Sequence, residues 1–323
     1  MKVAIKNSQG GIALVMVMIV VIVLGILAGG FAYSMKVETK LARNASMNSE
    51  LEWLGRSGIE LGRYALAQQL SIPGENMYDG LNQKWAGGTG GAGVTNDFLA
   101  DISLENYQLG RGSVSVKIED LERKVNINAA ILREDVPLLR QALALIGADA
   151  SETTLIVNAI LDWGDRDDST HVGSSETESK YYLTLNPPYA AKNGPIDDLS
   201  ELLLIHGITP QMYWGPKSIE RLSATGPRPA IAGLRNPGET DYAIGLVDLF
   251  TSLSSGQLNI NTANATTLQL IPGIDQNVAQ AIISARAGPD GTDGTDDDTP
   301  FRNIGELARV PGMNANTAGQ FSS

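Results

Sequence analysis

Apolar and polar positions change rhythm twice along this chain, and each change marks an element. From Ile12 to Ala32 no residue is charged, and the run IALVMVMIVVIVLGILAGGFA is apolar almost throughout. About 21 such residues in a helix cross the hydrocarbon core of a bilayer. The run exceeds the apolar region of a secretory signal, and its small residues (Gly25, Ala28, Gly29, Gly30) lie inside or at the end of the helical pattern. From residue 33 to 70 there is no proline, and Val37, Leu41, Ala45, Leu51, Leu54, Leu61 and Ala65 recur at a loose three-to-four spacing. The pattern predicts one helix from Ile12 to Gln69, about 85 Å long, with 12–32 in the membrane and the rest amphipathic. Lys2 and Lys6 ahead of it favour a cytoplasmic N-terminus and an exported remainder. Two readings stay open on these residues: a pilin-type assembly helix, or a plain anchor with a helical stalk.

The period then falls to two. After the glycine-rich GGTGGAG (87–93), Val114, Val116 and Ile118 alternate with polar residues, as in a strand with one buried face. Residues 71–125 are therefore expected to form a small α/β layer. Beyond them the chain repeats itself. KVNINAA (124–130) is echoed by QLNINTA (257–263), and LALIGAD (143–149) by LQLIPGID (268–275). ETTLIVNAILDW (152–163) is echoed by QNVAQAIISAR (276–286), and PIDDLSELLLIHGI (195–208) by PFRNIGELARVPGM (300–313). The ordered set marks a duplicated helical unit, 126–208 and 257–323, joined by a Gly- and Pro-rich segment, 209–256.

Ile-Pro-Gly-Ile or Val-Pro-Gly-Met between two helices is the helix-hairpin-helix pattern, in which glycine takes the left-handed turn. DNA-binding versions cradle a phosphate on backbone N–H groups at a helix N-terminus. Here Asp275 follows Gly273-Ile274, and residues 251–323 hold three arginines against seven acids. Phosphate neutralisation needs the opposite balance. The duplicated unit reads as protein-packing, with no nucleic-acid partner. A membrane-anchored DNA receptor of the competence type is the alternative.

Charge sharpens this. The net −12 is unevenly spread: Lys2, Lys6, Lys36, Lys40 and Arg43 against Glu38 and Glu50 leave residues 1–50 at +3, so the remainder carries −15. Much of that lies in two acid-rich loops, DWGDRDDSTHVGSSETESKYY (162–182) and PDGTDGTDDDTP (289–300). Clustered carboxylates spaced by Gly, Ser and Thr suit a hard cation with many oxygen ligands, calcium above all; a solvated acidic loop is the competing reading. Neither loop has the EF-hand spacing. In the second loop the candidate ligands are Asp293, Asp296 and Asp298, on local composition alone. No cysteine is present, which removes disulfides and thiolate metal sites. His171 and His206 read as loop or turn residues, Trp163 and Tyr181-Tyr182 as core. No nucleophile, zinc-helix or phosphate-loop motif occurs, so no catalytic residue is assigned and the chain reads as non-enzymatic. A metal-using, membrane-tethered hydrolase is the one enzymatic reading the acidic loops leave open.

From Gly10 to about Met313 the chain resembles the K-type minor pseudopilins of the bacterial type II secretion system. The resemblance rests on GGIALVMVMIV, VKIEDLERKVNIN, ILDWGDRDD with ESKYY, GLVDLFT (245–251), LNINTA and IPGID…PFRNIGELARVPGM. It implies an α+β fold: a long N-terminal transmembrane and amphipathic pilin helix with a small antiparallel sheet, carrying a large α-helical domain with duplicated helix-hairpin-helix-like units. It implies a prepilin leader, 1–11, cut between Gly11 and Ile12 by a prepilin peptidase, with Ile12 methylated. It implies I-type and J-type minor pseudopilins and the major pseudopilin as partners, and a tip position that helps initiate the fibre. The protein would sit in the inner membrane by a single pass, its bulk in the periplasm. It implies calcium in the helical domain, with Asp165, Asp168 and Glu178 at the matching positions. Position five from Ile12, where a pilin carries glutamate, is Met16; at a tip there is no subunit ahead to pair with that carboxylate. Two departures stand out. The family's exported domain usually ends in further strands whereas this sequence stops at QFSS, so its sheet is completed differently or the sequence is short there. The family often uses cysteines, so here calcium would stabilise the fold alone.

Overall fold

The structure is a computed structural model that describes residues 10–90, 104–166, 169, 179–215, 244–313 and 321–322. It divides into two compact units. One consists of the first helix as far as Arg63 with a hairpin that ends at Val116; the other begins at Tyr64 and takes in everything from Lys117 onward.

The first unit is built on α1 (Gly10–Gln69), a single 60-residue helix. Its boundaries match the periodic stretch to within two residues. With no proline and few β-branched residues after residue 37, nothing interrupts the hydrogen-bond ladder. The part from Ile12 is long and apolar enough to cross a membrane, and none of its most apolar stretch is covered by the rest of the chain. A hairpin, β1 (Tyr107–Leu109) with β2 (Gly112–Val114) in antiparallel register, Tyr107 opposite Val114, lies against the helix near Leu54 and Gly58. Two glycines allow the close approach. A Cβ on Gly58 would fall 2.7 Å from Val114 Cγ2, and one on Gly112 would fall 2.6 Å from Leu54 Cδ1. The period-two expectation for Val114, Val116 and Ile118 is met only in part. Their burial alternates, but the ladder stops at Val114, and Val116 N–H instead donates to Leu104 O at 2.7 Å.

The second unit holds both copies of the repeat. In the first, β3 (Val125–Asn126) leads into α2 (Ile127–Leu132), α3 (Val136–Ile146), α4 (Ala150–Gly164), the short α5 (Ser179–Tyr182), a 3-10 turn Leu199–Leu204 and α6 (Pro210–Trp214). It is closed by α7 (Leu246–Leu249) and β4 (Phe250–Thr251). In the second copy, β5 (Leu258–Asn259) leads into α8 (Ala265–Leu268), α9 (Gln276–Arg286), a 3-10 turn Ile304–Arg309 and β6 (Phe321–Ser322). Each copy pairs its Asn-Ile-Asn strand in parallel with its closing strand: Val125 opposite Phe250, and Leu258 opposite Phe321. The sequence did not predict these parallel pairs. Phe321–Ser322 supply one of these closing strands, and Phe321 is fully buried. Each copy has its own core, one around Leu139, Ile156, Leu161, Trp163 and Tyr182, the other around Leu268, Ile282, Phe301 and Phe321. Trp163 and Tyr182 are core as expected, while Tyr181 is half-buried and stacks on His206 at 4.0 Å.

Candidate functional site

Four features carry functional weight: the start of α1, the repeated turn chemistry, the helix N-terminus that DNA-binding relatives of the motif use, and the acidic loops. Gly11 and Ile12 lie in the first turn of α1. Met16 stands on the exposed apolar belt, with its neighbours Ile12, Val15 and Ile19 all more than half exposed.

The duplication extends to single atoms. Asn128 Nδ2 donates to Ile196 O at 2.9 Å, and Ile196 N–H donates back to Asn128 Oδ1 at 2.7 Å. At the matching position Asn261 Nδ2 donates to Phe301 O at 2.9 Å, and Phe301 N–H donates to Asn261 Oδ1 at 2.8 Å. One amide thus replaces a strand partner for the residue after the proline in each copy. The hairpin turns match as well. Gly147 and Gly273 have φ of 89° and 88°, and Gly207 and Gly312 have 87° and 86°. Each of the first pair is followed two residues later by an aspartate that caps the next helix, Asp149 accepting from Ser151 N–H and Asp275 from Val278 N–H. Left-handed φ is open to glycine at little cost, which explains the residue at all four turns.

The cap at Asp275 decides what the helix-hairpin-helix can bind. In α9 the N–H group that would meet a phosphate is already satisfied by the Asp275 carboxylate at 2.9 Å. A phosphate there would meet the negative charge of that carboxylate. The hairpin geometry is present, and a carboxylate takes one of the N-terminal donors of α9.

In the second acidic loop the five carboxylates of the sequence do not act alike. Asp293 accepts both ends of the Arg286 guanidinium, Nε at 2.9 Å and Nη2 at 2.7 Å. Arg286 is buried, and its Nη1 donates to Ile260 O and Ala263 O, both at 2.7 Å. Asp297 accepts from Asp290 N–H and the Thr295 hydroxyl. These bonds hold its carboxyl below the ordinary range, the hydroxyl first. Asp298 accepts from Gly294 N–H at 2.8 Å, yet burial outweighs its hydrogen bonds and pushes its carboxyl up. Asp293 is thus drawn to Arg286, while Asp297 and Asp298 meet at the Thr295 hydroxyl. In the first loop Asp165 caps the end of α4, its N–H donating to Leu161 O. Asp168, Glu178 and His171 lie outside the described residues. Among the described residues no group of three or more His, Asp or Glu is gathered in metal-holding geometry.

Sequence reasoning missed Asp120. Its Oδ2 accepts from Asn259 Nδ2 at 2.9 Å and from the Thr262 hydroxyl at 2.5 Å, and its Oδ1 accepts from Glu122 N–H. It ties the Asp-Leu-Glu turn to the second Asn-Ile-Asn segment. The available signal was the aspartate two residues before Glu122, an N-cap spacing that gives no hint of the distant partners.

Comparison with known proteins agrees with this layout. Residues 120–215 match the family described as Type II secretion system (T2SS), protein K, and residues 254–322 match the helix-hairpin-helix motif. The type II secretion system protein K of Pseudomonas aeruginosa is 25% identical over 302 residues, covering 91% of this chain and 77% of that protein. Its counterpart from Aeromonas hydrophila is 24% identical over 221 residues, 64% of this chain and 61% of that protein. Among solved structures, a chain of the GspK-GspI-GspJ complex from enterotoxigenic Escherichia coli shares the fold. The TM-score is 0.55 at 18% identity, over 86% of this chain and 82% of that one.

Proposed function

We propose, from its similarity to type II secretion system protein K, that this chain is a minor pseudopilin that occupies the tip of the pseudopilus and helps initiate its assembly. The carrying observation is a single pilin-type helix attached to a unit that holds two closed helical repeats, far larger than the hairpin layer of the first unit. A subunit of that bulk fits at the end of a helical fibre and obstructs the packing of its interior. The Glu-to-Met difference at position five agrees. A carboxylate carried into lipid without a partner would cost energy, and a first subunit has none ahead of it.

On this reading Gly11–Ile12 is the cleavage point of a prepilin peptidase, and Ile12 becomes the methylated terminus. The apolar part of α1 anchors the chain in the inner membrane by one pass, with the rest in the periplasm. The partners are I-type and J-type minor pseudopilins, the proteins named with K in the related complex, together with the major pseudopilin. The role is structural. The DNA-receptor reading loses ground to the capped N-terminus of α9. Intact mass of the full chain co-expressed with its prepilin peptidase tests the assignment. A species beginning at methylated Ile12 is expected; retention of Met1, or cleavage beyond residue 28, would overturn it.

Calcium belongs to the same proposal. In the first loop Asp165, with Asp168 and Glu178, would supply oxygen ligands. In the second, Asp296 and Asp298 remain available together with Asp297, whereas Asp293 answers a buried cation of the protein. A bound ion would relieve the repulsion among these carboxylates and stiffen each loop. The expected result is a melting midpoint that falls when EGTA replaces calcium; an unchanged midpoint would sink the calcium assignment.

A further inference from the structure

The first turns of α1 beyond the apolar run carry an uneven arrangement of charge. Lys36, Lys40 and Arg43 stand at i, i+4 and i+7, so they fall within about 60° of one another on one face of the helix. Glu38, the acid among them, lies on the opposite face, and the next acid along the helix is Glu50. All three cations are exposed, and none has an ion-pair or hydrogen-bond partner among the described residues. Farther out on the same helix the pattern differs: Arg56 is held by Glu52 at 2.7 Å and Arg63 by Glu60 at 2.8 Å. On α1, the cations nearest the apolar run are the ones the chain leaves unpaired.

Their distance from the membrane points to what answers them, an inference that rests on the reading of 12–32 as the span and the rest as exported. At 1.5 Å per residue the three α-carbons lie about 6, 12 and 17 Å beyond Ala32, and the headgroup layer outside the hydrocarbon is about 5–7 Å deep. Helical side chains lean toward the N-terminus, here toward the bilayer. Lys36 and Lys40 therefore reach that layer, and Arg43 stands at its outer edge. Phe31 and Tyr33, 68% and 73% exposed, sit where interfacial aromatic rings lie. Cations within about 15–20 residues of a span favour the cytoplasmic side, so three on the exported side oppose the orientation. Cleavage after Gly11 would remove Lys2 and Lys6 and leave these three as the side-chain cations flanking the span. A charge pattern that works against export is explained by a ligand met after export.

We propose that Lys36, Lys40 and Arg43 bind the phosphate groups of anionic lipids, such as phosphatidylglycerol, in the leaflet on the exported side. Lys36 and Lys40 donate to headgroup phosphates directly, and Arg43 adds attraction from farther out. The chain beyond residue 50 is strongly acidic and is repelled by the same surface. The two forces together hold the helix at one depth, with its bulk clear of the headgroups.

The full chain carrying Tyr33→Trp, reconstituted in lipid vesicles, tests this. The four native tryptophans lie outside the apolar run. Fluorescence quenching by lipids dibrominated near the headgroup therefore reports the lipids beside residue 33, and not those beside Lys2 and Lys6. Dibrominated phosphatidylglycerol in phosphatidylcholine, compared with the converse mixture, gives the relative affinity. Phosphatidylglycerol should be preferred about fivefold at low salt. The preference should vanish at about 0.5 M sodium chloride, and when all three cations are replaced by glutamine. Among single variants, Lys36→Gln should lose most of it and Arg43→Gln least. Equal quenching by the two lipids at low salt, a preference that survives the triple substitution, or a larger loss from Arg43→Gln than from Lys36→Gln would each overturn the proposal alone. Quenching by neither lipid would place residue 33 outside the bilayer and overturn the anchor reading as well. Inorganic phosphate should do no more than chloride at equal ionic strength; a selective loss of preference in phosphate would make the stripe a free-phosphate site and overturn the lipid assignment.

Discussion

Replacing Asp293 by alanine removes both hydrogen bonds to the Arg286 guanidinium, at 2.9 and 2.7 Å. It leaves a cation that is 4% exposed with two backbone carbonyls as its remaining partners. A hydrogen bond to a charged group contributes about 1.5–3 kcal/mol. Removing one member of a buried pair costs about 3–5 kcal/mol because the other charge stays buried. The Asp293 side chain is 25% exposed, so water takes over part of its role, and about 3 kcal/mol is the expected loss. For a domain of this size that is a fall of about 6–12 °C in melting midpoint. The assay is thermal unfolding of the full chain in micelles, followed by circular dichroism in calcium and in EGTA. Arg286→Met and the double variant complete a cycle, with an expected coupling of about 1.5 kcal/mol or more. A loss under about 0.5 kcal/mol, or a coupling near zero, would refute the lock. A loss seen with calcium and absent in EGTA would assign Asp293 to a cation instead and refute it equally.

The paired asparagines should rank by burial: Asn261→Ala, which strips two bonds from the buried Phe301 backbone, should cost about 3 kcal/mol by chemical denaturation, and Asn128→Ala less. Equal small losses would contradict the reading of the amide as a strand substitute. Two carboxyls should respond to pH with opposite sign. Burial opposes ionisation of Glu201, but hydrogen bonds from Lys192 and from the N–H groups of Asp198 and Asp197 outweigh it and lower its carboxyl below 4.5. Its stabilisation is therefore present above that value and lost as pH falls through the lowered one, so Glu201→Gln should flatten the acid limb of the melting profile. The Asp298 carboxyl is raised from 3.8, so its ionisation opposes folding as pH rises, and in EGTA Asp298→Asn should raise the midpoint at neutral pH and change little in acid. The full chain should show no salt-sensitive duplex-DNA binding in gel-shift assays; tight binding would revive the DNA-receptor reading.

How much of this was legible in the chain varies with the range of the interaction. The first helix could be read to its ends because its signal is local, an uncharged run followed by unbroken period. The duplication was visible because turn glycines, capping aspartates and the Asn-Ile-Asn segments are fixed by backbone geometry at each site. What those asparagines do was hidden, since their partners lie at Ile196 and Phe301, distant in sequence. Arg286 reads as a surface cation in the last turn of a helix, and its burial depends on carbonyls of Ile260 and Ala263. In the second acidic loop the sequence offers Asp293, Asp296 and Asp298 as candidate ligands, and the fold sorts the loop by neighbour: Asp293 to a guanidinium, Asp297 and Asp298 to a threonine hydroxyl. The strand expected through Ile118 keeps its alternation and loses its ladder, because Val116 turns to Leu104.

The parallel closure of each repeat also sets a timetable. Val125 waits for Phe250, and Leu258 waits for Phe321, so neither half can complete its core until its last strand has arrived. In a chain made from its N-terminus, Phe250 is present before Phe321, so the first half can close while the second is still incomplete. The second half depends on a pairing made by residues 321–322, with the buried Phe321 ring as its final piece. Until then the Leu258 edge lies open, an unpaired strand that another chain could meet.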